Sequence, residues 1–152
     1  MGFLIIKWIH VLAAISAVGA NITYGIWIAR AAHEPDVLPF VLRNISVIDR
    51  RLANPSYAVL LLTGLTMALT LSIPLTTPWL LTALVLYFLA ALLGIVAYAP
   101  TARRQRQILE TEGFDSPNYK SLARRATWLG IVVTVDVVVI VFLMVVKPML
   151  WA

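Results

Sequence analysis

Asp136 is the residue of this chain whose type and position most directly indicate chemistry. It lies in an uninterrupted apolar segment, eleven residues after Arg125 and eleven before Lys147. This places it near the centre of a predicted membrane-spanning helix. A carboxylate at that depth is disfavoured by roughly 2.5 to 3.5 kcal/mol on insertion scales. We therefore expect Asp136 to be paired, protonated or functional.

Two interpretations of Asp136 are open. In the structural one, the carboxyl stays protonated, hydrogen-bonds Asn21 or Thr63, and fixes the register of the helices. In the functional one, it is the proton or cation site of a proton-coupled carrier, because a buried acid can exchange a proton over a short path. The second and third apolar segments contain no other ionisable residue, so a carrier of ordinary design would need a second chain.

His10, in the first apolar segment, suggests a different chemistry. An imidazole nitrogen can bind haem iron, and Lys7, one turn away, could meet a haem propionate. The pair is therefore a candidate haem b site, while the alternative is an interfacial histidine hydrogen-bonded beside Trp8 and Lys7. His33 is the only other histidine and lies at the opposite predicted surface. This excludes a bis-histidine haem within one chain and the usual multi-histidine zinc or copper sites.

The composition requires that a membrane surrounds these residues. Of the 152 residues, 61% are hydrophobic and 12% are charged, where about 25% charge is usual for soluble domains. The mean hydropathy is +0.91, and the absence of cysteine excludes disulfides and thiolate metal sites. We predict an all-α polytopic membrane protein, an antiparallel four-helix bundle that forms one domain over residues 1–152. About twenty apolar residues suffice for each span, and the spans are residues 8–29, 55–73, 79–99 and 126–146.

The basic residues predict the orientation of the bundle. Ten of the twelve lysines and arginines lie in the loops 30–54 and 100–125: Arg30, Arg43, Arg50, Arg51, Arg103, Arg104, Arg106, Lys120, Arg124 and Arg125. By the positive-inside rule these loops are cytoplasmic and both termini lie on the outer side of a cytoplasmic membrane. Trp8, Trp79 and Trp151 fall at the predicted outer ends. The net charge of +5 thus indicates topology and anionic lipid, not nucleic acid.

Both basic loops contain further predicted helices. In the first, the apolar residues Leu38, Val41, Leu42, Ile45, Ile48 and Leu52 recur at helical spacing. They predict a short interfacial helix that either anchors the bundle or docks a partner. In the second loop, a polar helix ends at Gly113 and a new one begins at Ser116-Pro117. The arginines of this hairpin either set the topology or bind lipid phosphates or an acidic partner.

Depths in the membrane follow from the helical rise of about 1.5 Å per residue. With Arg30, Arg51, Arg103 and Arg125 as surface markers, one layer roughly 13 to 18 Å deep contains Asn21, Thr63, Gly94 and Asp136. The same count places His10 about 30 Å from these surface markers, at the level of Thr70 and Thr82 and roughly 14 Å further out than Asp136. A direct pair between His10 and Asp136 is therefore not expected.

Several short motifs resemble those of a known family. They are Lys7-Trp8-Ile9-His10-Val11-Leu12, Thr63-Gly64-Leu65, Trp79-Leu80-Leu81, Pro100 and Arg103-Arg104. They resemble a bacterial family of four-helix predicted integral membrane proteins of unassigned function, itself distantly similar to HemJ-type protoporphyrinogen oxidases and CopD membrane domains. The resemblance implies a haem-linked role for His10, which matches the first-span histidine of the oxidases. The basic residue and histidine that those oxidases carry in span three are absent here.

From the residues themselves, the leading functional hypothesis is an accessory or interaction subunit without its own catalytic site. Its partners would be the lipid bilayer and other membrane subunits or further copies of the chain. A haem-binding redox protein that uses His10 is the first alternative, and a proton-coupled carrier that uses Asp136 is the second.

Overall fold

The computed structural model describes residues 1–150 and is helical almost throughout, with no strand in that range. Trp151, predicted to lie at the outer surface, falls outside the described residues. In chain order the helices are α1 (Gly2–Ala31), α2 (Leu38–Ile48), α3 (Asn54–Thr70), α4 (Pro78–Leu92), α5 (Ala99–Glu112) and α6 (Pro117–Val146). Two π-helical segments, π1 (Asp49–Ala53) and π2 (Leu93–Tyr98), join α2 to α3 and α4 to α5.

These elements combine into four long helices. Two of them run without a break through a π segment, so that Leu38–Thr70 has 33 residues and Pro78–Glu112 has 35, while α1 and α6 have 30 each. Each is long and apolar enough to cross a membrane. The predicted all-α fold with four spanning helices is therefore confirmed, whereas the orientation of the termini stays a prediction. Helix α3 ends at Thr70 rather than residue 73, because Ser72 has a φ of 52° and Pro74 follows.

Each π segment ends two residues before a proline. Pro55 has no N–H to donate to the carbonyl four residues back, and its ring would clash with that carbonyl. The preceding turn is wider, and the Asn54 N–H donates to the carbonyl of Asp49, five residues back. The same pattern recurs before Pro100, where the Ala99 N–H donates to the carbonyl of Gly94. The two prolines thus explain where each long helix departs from α geometry.

Helix α2 forms as predicted and is the extension of the second long helix, not a separate element. The predicted apolar stripe is buried at Leu38, Val41, Leu42 and Ile45, where α2 packs against α1 and α5. Because α2 continues directly into α3, the last two residues of the stripe do not face the core. Ile48 and Leu52 are accordingly 41% and 47% exposed.

The hairpin between α5 and α6 forms where the sequence predicts it. Helix α5 ends at Glu112, and Gly113 has a φ of 82°, a backbone conformation that favours glycine. Ser116 then caps α6, because its hydroxyl accepts hydrogen bonds from the N–H groups of Asn118 and Tyr119. We call the end of the bundle with this hairpin and the turn from α1 to α2 the basic end.

The long helices pack side by side in a specific order. Helix α1 packs against α3 and α6, and α6 packs against α4, whereas the backbones of α3 and α4 do not approach each other closely. At the end opposite the basic end, the ammonium group of Lys147 lies 5.3 Å from the centroid of the Trp79 ring and joins α6 to α4. This order places α1 and α6 between the other two spans.

Candidate functional site

The structure places His10 against α3, half-buried between helices. Its Nδ1 lies 2.8 Å from Oγ1 of Thr63. A methyl group at position 64 would lie 3.2 Å from Cε1 of His10, so the glycine lets the imidazole pack directly on the α3 backbone. We call His10, Thr63 and Gly64 the histidine site.

The hydrogen bonds of Thr63 fix the tautomer of His10. The Thr63 hydroxyl donates its one proton to the carbonyl of Val59, at 2.6 Å. Its oxygen therefore accepts the bond from His10, so Nδ1 carries a proton, and in the neutral ring Nε2 keeps its lone pair. A ring N–H held by an acceptor, with the other nitrogen unprotonated, is the usual state of a histidine that ligates a metal. His10 is thus chemically suited to bind haem iron.

Lys7, predicted to accompany His10, is exposed on α1 and forms no hydrogen bond or ion pair with another residue of the described range. Its ammonium group is free to meet an anionic group near the membrane surface. No group of three or more histidine, cysteine, aspartate or glutamate side chains within residues 1–150 could hold a metal ion.

The predicted layer of Asn21, Thr63 and Asp136 is wrong for Thr63. Thr63 forms a hydrogen bond with His10, although the predicted depths place His10 beside Thr70. Asn21 lies at another level and donates to the hydroxyl of Tyr57. The reason is that Arg30 and Arg51 do not lie at one level along the bundle. The long helix that packs against α1 extends beyond Arg51 to Leu38 at the basic end. Arg51 therefore lies further from the basic end than Arg30 does.

A second polar region lies between the histidine site and the basic end. The hydroxyl of Tyr57 accepts a hydrogen bond from the Asn21 amide. The backbone carbonyl of Tyr57 accepts another from the hydroxyl of Tyr87, at 3.0 Å. Tyr57 therefore links α1, α3 and α4 in the interior.

Further tyrosines and two acids surround Tyr57. Asp49 is close enough for its charge to act on the hydroxyls of Tyr24, Tyr57 and Tyr98. The charge of Asp136 also acts on Tyr57. These two hydrogen bonds and the electrostatic influence of the two acids relate residues from every long helix, which we call the tyrosine cluster: Asn21, Tyr24, Asp49, Tyr57, Tyr87, Tyr98 and Asp136.

Two polar atoms of the tyrosine cluster are buried without a hydrogen-bond partner among the described residues. They are the hydroxyl of Tyr24 and Oδ2 of Asp136. Asp136 therefore bonds neither Asn21 nor Thr63, which were its predicted partners. A buried polar atom without a partner costs roughly 1 to 3 kcal/mol. Such atoms indicate a place where water, a proton or a ligand completes the site.

Sequence reasoning named Asn21 and Asp136 but missed Asp49, Tyr57 and Tyr98. Asp49 lies in a loop by the charge pattern, and tyrosines near span ends are typical of the membrane interface. The missed signal is the pair Asn54-Pro55 and Ala99-Pro100. A proline inside a long helix predicts a local widening, and π segments occur frequently at functional sites.

Comparison with known proteins gives one match. No curated protein and no solved structure matches this chain, so the distant similarity to HemJ-type oxidases and CopD domains stays a prediction. Residues 4–148 match the family described as "Predicted integral membrane protein (DUF2269)". That match covers nearly the whole chain, and the four long apolar helices agree with its description. The protein therefore belongs to the DUF2269 family of predicted integral membrane proteins.

Proposed function

We propose that this protein is a small membrane subunit whose tyrosine cluster carries protons between the basic end and the middle of the bilayer. The observation that carries the proposal is the buried Oδ2 of Asp136, which has no partner within the described residues. The charges of Asp136 and Asp49 both act on the Tyr57 hydroxyl. Asp49 is therefore the second acid that a proton path requires and that the predicted second and third spans lack.

The chemistry of the side chains suits this role. Asp49 is half-buried at the junction of α2 and α3, where it can exchange a proton with water. A phenol can accept a proton on its oxygen while donating its own, so Tyr24, Tyr57 and Tyr98 can pass protons along with water between them. The free oxygen of Asp136 receives the proton.

Infrared spectroscopy tests this path in the purified chain. Asp136→Asn assigns the carbonyl stretch of the protonated Asp136 carboxyl, and transfer into deuterated buffer then gives its exchange rate. We expect exchange in the wild type to slow at least about tenfold in Tyr57→Phe and Asp49→Asn, because each removes a proton carrier.

Tyr119→Phe is the matched control. Tyr119 is 4% exposed in the core at the basic end and lies outside the tyrosine cluster, so its loss should leave the exchange rate unchanged. An Asp136 band that exchanges equally fast in Tyr57→Phe and in the wild type would refute the path. A band that does not exchange in the wild type would favour the structural interpretation of Asp136.

A second candidate function rests on the histidine site. We propose that Nε2 of His10 binds haem b, because the bond to Thr63 engages Nδ1 and leaves Nε2 as the ring nitrogen available to a metal when the ring is neutral. The exposed Lys7, one turn along α1, would meet a propionate of that haem. Bound haem would supply one-electron redox chemistry, and the protein would hold the ligand's orientation through Thr63 and Gly64.

A further inference from the structure

A cavity of about 270 Å³ opens between α2 and α5 at the basic end. Its lining contains three arginines from these two helices, Arg43, Arg103 and Arg106, together with the side chains of Pro39, Gln107, Leu109 and Glu110. It is separate from both the histidine site and the tyrosine cluster. The volume would hold several water molecules, which occupy about 30 Å³ each, and is sufficient for a phosphate group.

The charge of this cavity is not balanced by the protein. Glu110 is the one acidic residue in the lining, so the formal balance is three positive charges against one negative. The one ion pair within residues 1–150 joins Lys120 to Asp115, elsewhere in the fold. Three guanidinium groups around one cavity repel each other unless an anion lies between them.

One of the arginines is held in place. Nη1 of Arg106 donates to Oγ of Ser46 at 2.6 Å, across the gap between α5 and α2. The Ser46 hydroxyl donates its own proton to the carbonyl of Leu42 at 3.0 Å, so it acts as an acceptor towards Arg106. This leaves the other N–H groups of the guanidinium for a ligand, in a fixed orientation.

We propose that this cavity binds the phosphate group of an anionic phospholipid. Arginine forks match phosphate oxygens in geometry and charge. Phe40 and Val47 favour a lipid as the source of this phosphate. They lie three residues before and four residues after Arg43 on α2, and are 61% and 43% exposed. Apolar surface beside the cavity stabilises an acyl chain and contributes nothing to a free phosphate ion.

Native mass spectrometry of the full chain in detergent, titrated with dioctanoyl phosphatidylglycerol, tests this site. The double variant Arg43→Gln/Arg103→Gln should bind the lipid at least about tenfold more weakly, since it removes two charge-assisted contacts. The control Arg124→Gln/Arg125→Gln changes the charge by the same amount at exposed positions on α6 and should bind as the wild type does.

The outcomes separate the sources of phosphate. Equal losses in the two double variants, or no loss in either, would refute the site. If millimolar inorganic phosphate displaces the lipid as readily from the wild type as excess lipid does, the ligand is free phosphate and the lipid assignment is wrong. Retention of the lipid in that competition supports the proposal.

Discussion

The histidine site and the tyrosine cluster both join α1 to α3, yet they differ in how completely their polar atoms are paired. At the histidine site, His10 donates to Thr63 and Thr63 donates to Val59, and the ring packs on Gly64. In the tyrosine cluster, the Tyr24 hydroxyl and Oδ2 of Asp136 lie buried and unpaired within the described residues. A paired site fixes the positions of two helices, whereas an unpaired one is available for exchange with water or protons.

The largest expected effect concerns the one atom of the histidine site left free, Nε2 of His10. If it binds haem, protein purified after expression with ample haem shows a Soret band that His10→Ala removes completely. His33→Ala, the matched control at the turn after α1, should keep the band. A wild-type protein that stays colourless under these conditions would contradict haem binding by the isolated chain.

The close packing of the histidine site predicts the next effect. Gly64→Ala places a methyl group 3.2 Å from Cε1 of His10, so the ring must shift by a few tenths of an ångström, and we expect the variant to be less stable than an unhindered Gly→Ala variant by about 1 to 3 kcal/mol. Gly19→Ala on α1, where no atom lies within 4 Å of the added methyl group, should be neutral or slightly stabilising. Thermal unfolding in detergent measures both, and equal stability of the two variants would show that His10 does not pack on Gly64.

The smallest effect compares the loss of one hydroxyl in each region. Thr63→Val breaks the bond to His10 and should cost about 0.6 kcal/mol, the average for interhelical bonds in membrane proteins. Tyr24→Phe removes a buried hydroxyl without a partner among the described residues, so its stability should stay the same or rise. The same unfolding measurement decides, and a larger loss for Tyr24→Phe would mean that the two regions do not differ in this way.

Local patterns predicted much of the fold correctly. The break at Gly113 and the restart at Ser116-Pro117 follow from backbone freedom and capping chemistry of single residues, and both occur where expected. The buried stripe Leu38 to Ile45 follows from helical periodicity. These signals depend on neighbours in sequence, and long-range packing does not alter them.

The register between helices could not be predicted in the same way. An arginine marks the membrane surface only if its helix ends there. Arg51 instead lies within a helix that continues to Leu38, so it gives the wrong depth for Thr63. The wide turns before Pro55 and Pro100 further shift which side chains face the interior. The sequence therefore singles out His10 and Asp136 as unusual residues within apolar segments, while the bond from His10 to Thr63 and the position of Tyr57 between α1, α3 and α4 required the three-dimensional structure.

The spacing of α3 and α4 affects how molecules reach the interior. Their backbones do not pack together, and the bond from Tyr87 to the Tyr57 carbonyl is the one side-chain hydrogen bond between them in the described chain. We expect a separation of these two neighbouring spans to expose Tyr57 and the rest of the tyrosine cluster sideways, towards the lipid that surrounds the four helices. The Tyr87 hydroxyl would then limit how far α3 and α4 can separate, and so how easily a molecule dissolved in the membrane reaches Tyr57.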